Sequence, residues 1–384
     1  MSGLVIIGTG HAGLTLAREW RKRDPDTALT LVTADDGAAY YKPNLSKALA
    51  SGKTADELIT AAPDKVAADY AAELITGVQV TALDPAAKQI TLNDGRHQAY
   101  AQLVFANGAS CRHIPVQGDA ADTVLHVNNR LDYQRFRQQL PDGGHVVIIG
   151  AGLIGCEYAN DLVAQGYDAT LVDPLAWPLG MLLPETVARS LEQALTNAGA
   201  QFRLGQTVSR VDHAGAQYQV TLDDGATISA DLVLSAVGLV PNTAVAKEAG
   251  LATGRGIKVN PRMETSAADV YALGDVAEVG GHVLPYVLPI TNCARALAAT
   301  LAGEPTAVQW PAMPVMVKTP VLPTVVCPPP ARAAGEWQME GGAPDWVARF
   351  VGGDGTLLGF ALTGAATRER GRLAGETRPP QFAD

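Results

Sequence analysis

The chain alternates short, wholly apolar runs with glycine turns. Leu4-Val5-Ile6-Ile7 has no polar break. A β-branched run of that length, closed by glycine, predicts a strand buried on both faces, as in a parallel sheet. Gly8-Thr9-Gly10-His11-Ala12-Gly13 follows, and Leu14, Leu16, Ala17 and Trp20 then give helical character. The order is strand, GxGxxG, helix. Gly8 permits a tight turn, Gly10 lets backbone approach a pyrophosphate, and Gly13 lets helix pack on strand. The first N–H groups of such a helix, with their partial positive charge, face the phosphates. Leu29–Val32 is the next strand, and Asp35 lies 27 residues after Gly8. A carboxylate there suits ribose hydroxyls, although it falls late for a simple fit.

The same pattern recurs. Val146–Ile149 is a second buried run, followed by Gly150-Ala151-Gly152-Leu153-Ile154-Gly155 and a helix carrying Glu157, Tyr158, Ala159 and Leu162. Ala169–Val172 leads to Asp173, 23 residues after Gly150. That is the place for a carboxylate on an adenosine ribose, and it would repel a 2′-phosphate. Pro174–Pro178 contains no Arg or Lys, so NADH is expected over NADPH. Two such turns predict two dinucleotide sites. Leu103–Ala109 and Leu232–Gly238 are strands running into small-residue turns, and the stretch from Thr265 ends in Gly274-Asp275. An Asp at a strand end beside a Gly can accept hydrogen bonds from a sugar-alcohol chain; standing alone it reads equally as a turn.

Composition narrows the classes. At 384 residues, with 47% hydrophobic and 18% charged residues, this is a globular chain of two or three domains. No apolar run reaches the roughly 18 residues that span a bilayer, and no signal peptide is evident, so a cytoplasmic protein is expected. The net charge of −10 argues against nucleic acid as a partner. Residues 113–241 hold 6 basic and 14 acidic side chains, a net of −8. Residues 310–384 hold 7 of each. Cys111, Cys156, Cys293 and Cys327 form no metal or redox spacing, and the seven histidines form no cluster, so inert thiols and no metal site are expected.

Taken in order, the two GxGxxG turns, "FANGA", "SAVGLVPNT" and "TSAADVYALGD" resemble the two-dinucleotide-binding-domain flavoproteins, the glutathione-reductase-like family. The resemblance implies an α/β fold: two Rossmann-like domains, for FAD and NAD, and a small α+β C-terminal domain. The FAD domain would be discontinuous, residues 1–112 and 242–309, with the NAD domain 113–241 inserted and residues 310–384 at the end. Disulfide reductases of this family carry a CxxxxC pair near residues 40–47. Here "YYKPNLSKAL", residues 40–49, has no cysteine and reads as neither a strand nor a good helix start. "KPNLSK" and "MPVMVKTPVLP" are instead similar to the rubredoxin- and ferredoxin-reductase branch.

That likeness implies transfer of electrons from NADH through FAD to an acidic iron protein, rubredoxin, with no thiol relay. Gly8, Thr9, Gly10, His11, Ala12, Gly13, Thr33, Ala34 and Asp35 would contact the FAD, with Val80, Asn107, Gly108 and Asp275, the last on the ribityl chain. Asn107 replaces the family's usual Thr. Lys42 and Pro43 would border the isoalloxazine ring, Lys318 would approach it from the C-terminal domain, and Val287 would start a helix aimed at its pyrimidine edge. A lysine or helix N-terminus there stabilises the negative charge of reduced flavin. Lys47 and Glu157 would form an ion pair near N5, where nicotinamide stacks. Gly150, Gly152, Leu153, Ile154, Gly155, Asp173 and Gly238 would hold the NAD. Without the resemblance, these lysines read as solvated charges or an edge-strand guard, and Glu157 as a surface residue.

Residues 310–384 contain no histidine, so the His-Glu pair that disulfide reductases carry there is absent and a monomer is expected. Seven prolines in residues 311–330 predict edge strands and turns, and "DWVARFVGGDGTLLGFALTG" predicts two strands about a glycine turn. The rivals are a ferredoxin or flavorubredoxin reductase, or an NADH oxidase, of the same fold. A rival of another class is an FAD/NADH-binding redox sensor.

Overall fold

A computed structural model describes residues 3–380 and 382. The two glycine turns open two sheets of the same design. In the first, five parallel strands run in the order Val270–Ala272, Gln102–Phe105, Leu4–Ile7, Leu29–Val32, Ala72–Ile75. In the second the order is Leu125–His126, Leu232–Ser235, His145–Ile149, Asp168–Asp173, Ala200–Leu204, again all parallel. In each, the strand before the glycine turn is central, which is why Leu4–Ile7 and Val146–Ile149 are apolar on both faces. The outermost strand shows the insertion. The first sheet takes Val270–Ala272 from beyond the second lobe. The two crossings, Ala109–Cys111 and Leu239–Pro241, pair as an antiparallel ribbon.

Four helices position the site: α1 (His11–Arg21), α2 (Arg130–Gln139), α3 (Leu153–Val163) and α4 (Val287–Leu301). α1 buries Leu16, Ala17 and Trp20 and leaves Arg18 and Arg21 in its last turn, where the helix dipole favours cations. α2 begins with a reciprocal capping box between Asn129 and Asp132.

The stretch from Tyr40 to Leu49 is ordered differently from the sequence expectation. Ala39–Tyr40 pairs with Ile59–Ala61, and Lys42–Lys47 forms a 3-10 helix. Pro43 sits in its first turn, where the missing N–H costs nothing and the fixed φ suits the helix. Leu45, Ala48, Leu49 and Leu58 from this region do not join the first-lobe core. They pack with Tyr133, Phe136, Tyr158 and Leu162 of α2 and α3, and with Val317, Leu322 and Val326 of the C-terminal segment. Each fully buried leucine contributes about 1.5–3 kcal/mol. The lysine-bearing segment is thus fastened by burial to the second lobe and the C-terminal segment.

The C-terminal residues form one antiparallel sheet in the order Val315–Val317, Thr324–Cys327, Leu357–Thr363, Asp345–Gly352, Gly335–Gly342. The two strands expected about Gly352–Gly355 are present. Thr324–Cys327 departs from the expectation of edge strands, because it lies inside the sheet. Its own four residues are proline-free and the prolines flank it, so no ladder bond is lost. Among the described residues, no helix is long and apolar enough to cross a membrane.

Candidate active site

The two glycine turns are built alike. Gly8 and Gly150 have φ of +110° and +105°, a backbone that side chains rarely adopt. A Cβ at Gly13 would lie 1.9 Å from the Gly8 carbonyl oxygen, and one at Gly155 would lie 1.9 Å from that of Gly150. Glycine there is what lets helix close on strand. A Cβ at Gly10 or Gly152 meets nothing within 4 Å, so these positions face open space. Neither α1 nor α3 has a side-chain cap or an acidic residue in its first turn. Their leading N–H groups are left for another acceptor, as phosphate oxygens would be.

Buried polar atoms around the first turn also fit FAD. His11 Nε2 and Asn107 Oδ1 are buried without a partner among the described residues. His11 meets Tyr41 edge-on at 5.6 Å, and burial, then the Arg18 charge, holds its pKa below the usual value. Asn107 Nδ2 donates to the Asn242 carbonyl at 3.1 Å, and Asn242 Nδ2 returns a bond to the Asn107 carbonyl at 2.8 Å. Asp275 follows Val270–Ala272 in a single 3-10 turn. Burial pushes its carboxyl up, and the Lys42 charge opposes that rise. Among the described residues nothing donates a hydrogen bond to it. Thr9 and Ala12 are buried in the turn. Thr33 Oγ1 accepts from Asp35 N at 3.2 Å, and the Thr33 carbonyl accepts from Val78 N at 3.1 Å, which brings Val80 near the end of Leu29–Val32. Ala34 is exposed beside them. Gly108, at φ +64°, has open space where a Cβ would stand.

On the second turn, Asp173 has backbone partners of its own. Its Oδ2 accepts from Ala151 N at 2.7 Å and its Oδ1 from Leu175 N at 2.8 Å. The carboxylate therefore ties the glycine turn to the segment that follows its own strand. Leu153 is partly buried, Ile154 is exposed, and Gly238 adopts φ +97° at the ribbon.

Glu157 is the centre of the charged cluster. It is 2% exposed, not a surface residue. Its Oε2 accepts from Ser46 Oγ and pairs with Lys318 Nζ, both at 2.5 Å, while Oε1 accepts from Lys318 N at 3.0 Å. The expected pair between Lys47 and Glu157 is not formed. The 3-10 helix turns Leu45 and Ser46 inward and leaves Lys47 exposed, with no ion pair among the described residues. Lys318 takes its place, from the C-terminal segment. Lys42 Nζ donates to Asn128 Oδ1 at 2.7 Å. Val287 opens the 15-residue α4 behind an extended, uncapped Tyr286, with no acidic residue in the first turn. Pro43 lies between Lys42 and the buried Leu45.

Sequence reasoning missed four residues. Asn160 and Asp161 share the buried face of α3 with Glu157. Asn160 Oδ1 accepts from Val321 N at 3.2 Å, and the two Asp161 oxygens accept from Leu49 N and Ala50 N, both at 2.9 Å. Their signal was present: polar residues three and four positions after Glu157 on a face otherwise set by Tyr158 and Leu162. Ser46 and Asn128 carried no such signal. Cys156, Cys293 and Cys327 are buried, and burial raises the thiol pKa of each, to about 12 at Cys293 and about 11 at Cys327.

Residues 2–301 match the pyridine nucleotide-disulphide oxidoreductase family, and residues 307–377 match the rubredoxin binding C-terminal domain. The rubredoxin-NAD(+) reductase of Alcanivorax borkumensis is 46% identical over 97% of this chain and 98% of that relative. The rubredoxin-NAD(+) reductase of Acinetobacter baylyi is 43% identical over 95% of each. The solved putidaredoxin reductase in covalent complex with putidaredoxin superposes with a TM-score of 0.88, at 27% identity, covering 98% of this chain and 93% of that one. On a match of this extent, with both glycine turns in place, the chain belongs to the pyridine nucleotide-disulphide oxidoreductase family.

Proposed function

We propose that this chain is an FAD-dependent rubredoxin:NAD+ oxidoreductase, passing electrons from NADH to rubredoxin without a redox-active disulfide. The observation that carries the reading is one junction. A segment matching a rubredoxin binding domain supplies Lys318, which closes on Glu157 of the coenzyme helix α3. Bound FAD accepts electrons in pairs from a nicotinamide and can release them singly, which a one-electron iron carrier requires.

The protein's own residues hold and tune that exchange. Gly8–Gly13, Thr33–Asp35, Val80, Asn107, Gly108 and Asp275 bind FAD, and Gly150, Gly152–Gly155, Asp173 and Gly238 bind NADH. Lys42 places positive charge by the ring, Lys318 approaches it as the partner of Glu157, and the N-terminus of α4 adds a partial positive charge. Glu157 holds Lys318 in place and keeps Ser46 turned inward. Lys47, exposed at the end of its turn, is left to steer anionic groups rather than to pair. The division into residues 1–112 with 242–309, 113–241 and 310–384 follows the two glycine lobes and the antiparallel sheet. We take the protein to be a monomer in the cytoplasm, with no nucleic-acid partner.

The test is anaerobic rapid mixing. NADH should bleach the bound flavin, and rubredoxin should then restore its colour far faster than dioxygen does. Faster reoxidation by a [2Fe–2S] ferredoxin, by flavorubredoxin or by dioxygen would reassign the acceptor. A persistent NADH charge-transfer band that no acceptor discharges would favour a sensor.

A further inference from the structure

We infer that Asn128 is a positioning residue for Lys42, and that through it the second lobe sets where the cation beside the flavin stands. The inference rests on the proposed placement of Lys42 at the ring.

Asn128 lies between the strand Leu125–His126 and α2, in the second lobe. Its amide reaches two groups outside that lobe's core. Oδ1 accepts from Lys42 Nζ at 2.7 Å, and Nδ2 donates to the Ala109 carbonyl of the crossing ribbon at 2.8 Å. These partners fix the amide's orientation. Turned over, it would set an NH2 against an ammonium and an oxygen against a carbonyl, two repulsive contacts in place of two bonds. The backbone is fixed as well. Asn128 N donates to Asp132 Oδ2 at 3.1 Å, the same carboxylate that completes the capping box with Asn129. A rigid helix start therefore holds the amide, and the amide holds the lysine.

The chemistry of the partner matters. Lysine is a flexible point charge that goes to the nearest anion. Asp275 and Asp35 both lie within its electrostatic reach, since burial raises each carboxyl and the Lys42 charge works against the rise. A lysine paired with Asp275 would spend its charge there and occupy the carboxylate proposed to hold the ribityl chain. A neutral amide holds the ammonium without cancelling its charge. The bond also crosses lobes, so a change in their angle moves Lys42.

The test is a double-mutant cycle on the midpoint potential of the bound flavin, using Asn128→Ala, Lys42→Met and the pair, each with FAD content and thermal midpoint measured. Asn128→Ala should lower the equilibrium constant for flavin reduction about tenfold, which for a two-electron couple is about 30 mV. It should slow reduction by NADH with the KM for NADH within about twofold of wild type, because the bond is one to a charged group near the ring and not to the coenzyme. In the Lys42→Met background the same change should do nothing further. Asn128→Asp keeps the acceptor but cancels the charge, so its midpoint should fall at least as far; it carries the test where the alanine variant fails to retain FAD. Equal shifts in both backgrounds, a wild-type midpoint in Asn128→Ala, or one at or above wild type in Asn128→Asp, overturns the inference while leaving Lys42 at the ring. An unchanged midpoint in Lys42→Met overturns both.

Discussion

Glu157 gathers three donors on one buried carboxylate, and its cation comes from another part of the chain. Removing that cation leaves a negative charge in a dry site, and breaking a buried pair in this way costs about 3 kcal/mol at the low end. Lys318→Met should therefore lower stability by about that amount in urea melts. The loss should shrink in Lys318→Met/Glu157→Gln, where no buried charge is left unpaired. A wild-type urea midpoint in the single variant would mean that Ser46 and the Lys318 backbone N–H satisfy the carboxylate alone. Among the described residues Lys42 makes no ion pair, only its bond to Asn128, so Lys42→Met should lower the flavin midpoint further than Lys318→Met does. Asp173 holds two backbone N–H groups and is proposed to select the coenzyme as well. Asp173→Asn keeps one of the two loop bonds, so it should narrow the NADH-over-NADPH ratio of kcat/KM with a smaller loss of NADH activity than Asp173→Ala. The alanine variant loses both bonds with the charge, and its KM should rise for either coenzyme. A wild-type protein that uses the two coenzymes equally would remove Asp173 from coenzyme choice.

At the scale of elements, α3 is the organising piece. One face, through Glu157, Asn160 and Asp161, holds segments 46–50 and 318–321 by their backbone and side chains. Asp161 makes no ion pair among the described residues, and burial pushes its carboxyl up to about 6 against the pull of the two N–H bonds and of the Arg137 charge. A folded carboxyl raised above its unfolded value near 4 binds its proton first in the native state. Its contribution is fully present below the unfolded value and is lost as pH rises through about 6, by about 1 kcal/mol between pH 5 and pH 7. Urea melts should show this loss in wild type and not in Asp161→Asn; parallel pH profiles would place the titration elsewhere. The elements themselves were readable from sequence. Leu4–Ile7 and Leu29–Val32 occur as expected, because burial on both faces leaves a run no other pattern. Lys42–Lys47 was not legible, since a 3-10 turn has no apolar period of its own and is held by Leu45, Ala48 and Leu49 against another lobe. The partner of Glu157 was illegible for a related reason. Lys47 is near the ring by resemblance, whereas Lys318 is 161 residues from Glu157 and reaches it only through tertiary packing.

At the scale of the whole molecule, charge is segregated. Residues 113–241 carry a net of −8, and residues 310–384, with 7 basic and 7 acidic side chains, carry none. An acidic acceptor is repelled by the second lobe and meets a neutral surface on the C-terminal sheet. Apolar side chains are exposed along the segments that carry the two lysines: Tyr41 beside Lys42, and Met316, 59% exposed, and Val321 on either side of Lys318. Contact of this kind holds its partner by burial more than by charge, and surface charges are screened within about 8 Å at physiological salt. Raising salt from low to physiological strength should thus change the acceptor half-reaction by less than about threefold, while a strongly charge-paired complex loses far more. Met316→Glu separates the two modes. It puts an anion on the apolar strip, so it should slow reoxidation by rubredoxin several-fold. Flavin reduction by NADH should be untouched, because Met316 lies outside the coenzyme site. Unchanged reoxidation in Met316→Glu, together with a steep fall in rate with salt, would move the docking face away from the C-terminal sheet and onto a charged part of the first lobe.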